Sequence, residues 1–177
     1  MAALGMTAKK PPRVPYGCMP EQDRAECLVR RPRLSKLDEC RACACLAVRS
    51  AARRITQSYD AALAGTGLRA TQFSLLVMVH HLGAPTMKML ADMLSSDPTT
   101  ITRNVQGLRR RRFLALLPGE DLRERKVILT KRGESILLRA LPNWDKAQSE
   151  VVARLGRREL TKLHAVLERV GTAPLQS

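Results

Sequence analysis

Asp97 followed by Pro98 marks the start of a helix more firmly than any other pair of residues in this 177-residue chain. The carboxylate can accept the orphan N–H groups of a first turn, and proline at the first helical position gives up no hydrogen bond. At about 100° per residue, the positions that follow sort into two faces. Ile101, Val105 and Leu108 share one; Thr99, Arg103, Gln106 and Arg110 share the other. The first face requires a core. The second is rich in donors and carries no acid, so it is a surface looking for an acceptor-rich partner.

The neighbouring segments supply the core. Thr86 can cap a short helix with Met87, Leu90, Ala91 and Leu94 as its buried stripe, joined to the next helix by a tight connection at Ser95 and Ser96. Before it, a helix from about Thr71 carries Phe73, Leu76, Val77 and His80 on one side and stops at Gly83 and Pro85. After Arg112, strand-like runs at 113–117 and 126–129 flank a polar tip with Pro118, Gly119, Glu120, Asp121 and Arg123, which reads as a hairpin. Two short helices joined by a tight turn, the second with a basic face, then a hairpin with a charged tip, follow the winged helix-turn-helix plan.

Long helices frame this unit. Ser35, with Asp38 three residues on, can cap a first helix whose stripe runs Leu37, Cys40, Ala44, Val48, Ala51, Ile55, Tyr59 and Ala62, closing near Gly65 and Gly67. Thr130 can cap another with Leu137, Leu141, Trp144, Val151 and Leu155 on one seam, which Pro142 is expected to kink or divide. Gly156 ends it, and a last helix from about Arg158 carries Leu160, Leu163, Leu167 and Val170. The expected fold is mainly α with a small β-hairpin wing (α+β). The apolar seams of the first and last helices exceed what a small winged domain can cover, and a homodimer would cover them.

Residues 1–36 hold five of the ten prolines with eight basic and three acidic residues and no sustained period. The expected organisation is a flexible basic arm at 1–34 and one domain at 35–177. Within that domain, 35–65 and 131–177 are dimerisation helices and 68–130 is the winged helix.

Charge indicates the partner. Thirty-one Lys and Arg against sixteen Asp and Glu leave a net +15, and residues 103–132 alone carry ten basic and three acidic groups. A polyanion is the expected partner. Five aromatic residues give little platform for stacking unpaired bases, which favours double-stranded DNA. Thr99, Thr100 and Thr102 are small enough to enter a major groove, where their hydroxyls reach base edges or phosphates and their methyls meet thymine. Arg103 is the candidate for guanine or phosphate, with Gln106 one turn on. Arg123 and Arg125 sit on the loop that would lie over an adjacent minor groove. The run Arg109 to Arg112 reads equally as a DNA contact or as cations favouring a helix C-terminus.

No Gly-rich phosphate loop, nucleophile elbow or zinc-binding helix motif is present, so we expect no catalytic residues, no enzyme activity, no cofactor and no metal. Apolar runs are too short for a membrane span, and without a signal pattern the expected location is the cytoplasm. The alternative to a sequence-specific regulator is a sequence-independent, nucleoid-like nucleic-acid binder.

From Leu37 onward the chain resembles the MarR family of bacterial transcriptional regulators. The resemblance rests on Asp97, Thr100, Ile101, Thr102 and Arg103 in the recognition helix, on Asp121, Leu122 and Arg123 in the wing, and on the run Leu129, Thr130, Lys131, Arg132 and Gly133. It implies that terminal helices interlock two protomers and that paired recognition helices meet a pseudo-palindromic operator. It also implies that Asp121 orients Arg123 through a salt bridge, and that a pocket between the dimer helices and the winged domain takes a small aromatic ligand. The result would be a repressor released by a ligand or an oxidant.

The cluster Cys40, Cys43 and Cys45 leaves three readings open. The thiols can pack as small hydrophobes. They can contribute to a metal site, which would need ligands such as His80 or His81 from elsewhere. Or Cys45 can sense oxidants, since its position resembles that of the reactive cysteine in the hydroperoxide-sensing branch of the family and Tyr59 matches a tyrosine that supports it. Arg49 and Ala70 stand where that branch has further tyrosines.

Overall fold

Three short polar side chains start three of the helices. Thr86 Oγ1 accepts from the Met89 N–H at 3.2 Å, Asp97 Oδ1 from the Thr100 N–H at 2.8 Å, and Thr130 Oγ1 from the Gly133 N–H at 3.0 Å. Each satisfies a first-turn donor that would otherwise need water. A computed structural model of the chain describes residues 40–119 and 124–172. The basic arm, Ser35, Asp38, Asp121 and Arg123 lie outside the described residues.

The described residues fall into two units, one ending at Ala47 and the other beginning at Val48. In the first, a one-turn 3-10 helix (Cys40–Ala42) precedes the start of α1 (Ala44–Leu63). The Cys43 N–H closes that turn on the Cys40 carbonyl at 3.2 Å, and the Cys43 carbonyl accepts from Ala47 at 3.0 Å. The α-helix therefore starts after Cys43, and Cys40 does not belong to the α-helical stripe expected to run through it. The tighter three-residue bond takes the place of a helical turn there.

In the second unit α1 gives way to a 3-10 turn (Ala64–Thr66) ended by Gly67 at φ 70°. Then come α2 (Ala70–Leu82), α3 (Met87–Met93), α4 (Pro98–Arg110), β1 (Leu114–Pro118), β2 (Arg125–Leu129), α5 (Lys131–Leu155) and α6 (Arg157–Thr172). The strands pair antiparallel, with Leu114 opposite Leu129 and Pro118 opposite Arg125. β2 is also held from its other side: the Val127 N–H donates to the Pro85 carbonyl at 2.8 Å, and Thr86 bridges Lys126. The wing thus has a third short partner from the loop before α3.

Leu76, Val79, Leu90, Val105, Leu108 and Val127 are fully buried and draw α2, α3, α4 and β2 onto one core. Each contributes roughly 1.5–3 kcal/mol by leaving water. The expected buried faces of α3 and α4 are found: Leu90 and Ala91 in one, Ile101, Val105 and Leu108 in the other. In α2 the face differs. Leu75 and Val79 are buried while Val77 and His80 are exposed, because this helix is apolar on most sides and its periodicity does not select one.

Pro142 does not divide α5, which runs unbroken through it. Proline removes one N–H, and the carbonyl four residues back, at Leu138, is the acceptor left over. Both residues are exposed, so water can serve that carbonyl. The buried side of α5 is Gly133, Ile136, Ala140 and Ala147; Leu141 and Leu155 of the expected apolar seam are exposed. Among the described side chains of α6 none is buried, and Leu163, Val166, Leu167 and Val170 are exposed along it. Among the described residues no single helix is long and apolar enough to cross a membrane.

Candidate nucleic-acid interface

α4 is seated by its apolar face, which leaves Thr99, Arg103, Gln106 and Arg110 exposed in one row along its outer side. The three threonines differ in what their hydroxyls do. Thr99 is exposed on the outer row. Thr100 is exposed but engaged with Asp97, and Thr102 is half-buried with its hydroxyl donating to the Pro98 carbonyl at 2.8 Å. With its one proton committed, Thr102 offers a partner its methyl and an acceptor oxygen but no donor, a narrower role than sequence alone gives it. Arg125, at the start of β2, is exposed.

Hydrogen bonds from the Thr100 side chain, and then from its N–H, hold the Asp97 carboxyl below the usual carboxylate range. With the folded value lowered, the stabilisation is complete above the unfolded value near about pH 4 and fades as pH falls through the folded one. Urea midpoints of wild type and Asp97→Asn should therefore differ at about pH 6 and converge towards about pH 3. A gap that stays constant over that range refutes the linkage.

The end of α4 divides the arginine run. The Phe113 N–H donates to the Leu108 carbonyl at 3.0 Å and the Arg112 N–H to the Arg109 carbonyl at 2.8 Å, the pair of bonds that defines a Schellman ending. Arg112 occupies the left-handed position at φ 60°, where glycine is the usual residue. Its carbonyl accepts from the Thr130 hydroxyl at 2.7 Å. Arg111 turns back into the protein: Nη1 donates to the Gly67 carbonyl at 2.8 Å, and the guanidinium lies 4.6 Å from the Phe113 ring centre. Arg109, Arg110 and Arg112, with Gln106, Leu114, Ala115, Leu116 and Thr130, line a cleft of about 680 Å³ between α4 and β1. Sequence reasoning left this run undivided; the signal for dividing it is the pattern of bonds at the helix end.

The MarR family model matches residues 68–124, the span from α2 to the wing. YwoH, an uncharacterised HTH-type transcriptional regulator of Bacillus subtilis, is 31% identical over 87 residues, a match covering 49% of this chain and 64% of YwoH. The Mycobacterium tuberculosis transcriptional regulator MosR, solved in complex with DNA, is 37% identical; the match covers 72% of this chain and 98% of MosR, with a TM-score of 0.62. The chain belongs to the MarR family.

A mutant MarR of E. coli, solved with operator DNA, shares the fold at 20% identity, with a TM-score of 0.67 over 78% of this chain and 98% of that one. As a MarR-family protein the chain is a transcriptional regulator, and its α3–α4 pair is the helix-turn-helix.

The expected sensing residues belong to α1 and sit fourteen positions apart in sequence. Cys45 is exposed. Tyr59 is half-buried; its hydroxyl donates to Gln148 Oε1 on α5, and burial pushes its pKa up. Tyr59 also lines a groove of about 250 Å³ with Ile55, Leu63, Phe73 and Trp144. Trp144 stacks on Phe73 with ring centres 6.2 Å apart, so it is both a packing residue and a groove wall.

Proposed function

We propose that this protein is a cytoplasmic, homodimeric repressor, without catalytic activity, that binds a pseudo-palindromic DNA operator and leaves it when a small aromatic ligand or an oxidant is met. The reading rests on one observation above others: Thr99, Arg103, Gln106 and Arg110 form an exposed row, free of acids, beside the wing. α4 enters the major groove with Arg103 on guanine or phosphate, while Arg125, together with Arg123 oriented by Asp121, reaches the adjacent minor groove. MosR, 37% identical to this chain, having been solved with DNA supports DNA as the partner. The proposed organisation keeps 1–34 as an arm, 68–130 as the DNA-binding part, and 35–65 and 131–177 as the dimer helices. Two-fold symmetry sets half-site centres about 10–10.5 base pairs apart.

Selection of bound duplex from a random pool tests the proposal. An enriched inverted repeat supports it, and a pool recovered without enrichment would establish the sequence-independent binder instead. On the selected duplex Arg103→Ala should cost about 1–3 kcal/mol and relax the preference at one position of each half-site. Unchanged preference would remove Arg103 from base recognition. Challenging the same complex with aromatic acids and with peroxide, in wild type and in Cys45→Ser, separates the two release signals.

A further inference from the structure

We propose that the cleft between the C-terminal half of α4 and β1 seats the DNA phosphate ridge that lies between the two grooves, with Arg109, Arg110 and Arg112 as its cations. The inference rests on the placement of α4 and the wing in adjacent grooves. A major and a minor groove are divided by one sugar-phosphate backbone, so a protein with a helix in one and a hairpin over the other must receive that backbone between them. Here the space between them is a cleft of about 680 Å³ whose lining, among the described residues, holds three arginines, one glutamine, one threonine and no acid. It continues the recognition row, because Gln106 and Arg110 belong to both.

Arg112 carries the argument furthest. A left-handed residue with a Cβ is strained, and glycine would end this helix with the same two backbone bonds at no steric cost. The strain is held in place: the Thr130 hydroxyl binds the Arg112 carbonyl, and Phe113 and Leu108 are both buried beneath the turn. What arginine adds over glycine at this position is a cation in the cleft. Its neighbour Arg111 has the same charge but is committed to Gly67 and Phe113. Of two adjacent arginines, one fastens the helix and the other faces the ridge.

Affinity for the selected duplex and for a random duplex, measured against salt concentration, tests this in the full-length protein, with urea midpoints measured in parallel. Arg112→Gly should raise the urea midpoint and weaken both duplexes alike, by on the order of tenfold per cleft near 0.1 M salt, with the log–log salt slope shallower by about 0.9 per cleft. Arg111→Ala should lower the urea midpoint and leave the slope unchanged. Wild type that binds duplex while Arg112→Gly keeps its affinity and slope overturns the cleft assignment alone. Wild type without salt-dependent duplex binding overturns the DNA reading, and the cleft assignment with it.

Discussion

Alanine in place of Gly133 is expected to destabilise this protein by on the order of 4 kcal/mol, beyond the usual cost of one added carbon in a core. A Cβ there would stand 2.1 Å from the Phe113 carbonyl oxygen and 3.0 Å from its carbonyl carbon. The obstacle is backbone, so no rotamer change relieves it. The same carbonyl accepts from the Thr130 N–H at 3.1 Å and the Thr130 hydroxyl at 3.2 Å, and Thr130 caps α5 through the Gly133 N–H. One methyl group would therefore press on the end of α4, the base of the wing and the start of α5 together. Urea unfolding of Gly133→Ala at matched protein concentration measures it. A loss below about 1 kcal/mol would mean that the junction yields easily, contrary to this account.

The second large effect concerns α6. A 16-residue helix with no buried side chain among those described has little reason to persist in water by itself. Leu163, Val166, Leu167 and Val170 recur at helical spacing along it, and Val48 and Ile55 of α1 are exposed as well. A second copy of the chain covers these seams in the proposed dimer. Leu167→Glu combined with Val170→Glu should place charges in that interface and give monomers in sedimentation velocity, with the winged unit still folded by circular dichroism. Operator affinity should fall about 10²–10⁴-fold, because each monomer then engages one half-site without the advantage of linkage. A variant that remains dimeric and binds operator as tightly as wild type would remove α6 from the interface.

Where one residue sets its own local geometry, the sequence was readable. Thr86, Asp97 and Thr130 each occupy the cap expected of them, and the apolar positions of α4 lie far enough from its arginines that only one orientation buries them. α2 was not readable in the same way, since Val77 and His80 compete with Leu75 and Val79 in a helix apolar on most sides; only packing against α3, α5 and β2 decides. At Pro142 the sequence does not decide whether the helix divides, because the cost of the missing N–H depends on whether the orphan carbonyl reaches water. The run Arg109 to Arg112 is four identical letters in sequence. Its division between fastening and cleft follows from a helix ending that depends on the next residue, Phe113, and on Gly67 and Thr130, distant along the chain. Gly133 belongs to a motif, yet the oxygen that excludes a side chain there comes from a residue twenty positions earlier.

The attachment of β2 to Pro85 and Thr86 has a consequence for regulation. The hairpin is tied to the loop that launches α3, and α3 packs on α4, so in the proposed regulator α4 and the hairpin would be carried together as one jaw. In the proposed dimer, a signal would then act on the gap between two such jaws rather than on the bite of either, and a repeat set about one turn apart would no longer match a calliper opened or closed by a few ångströms.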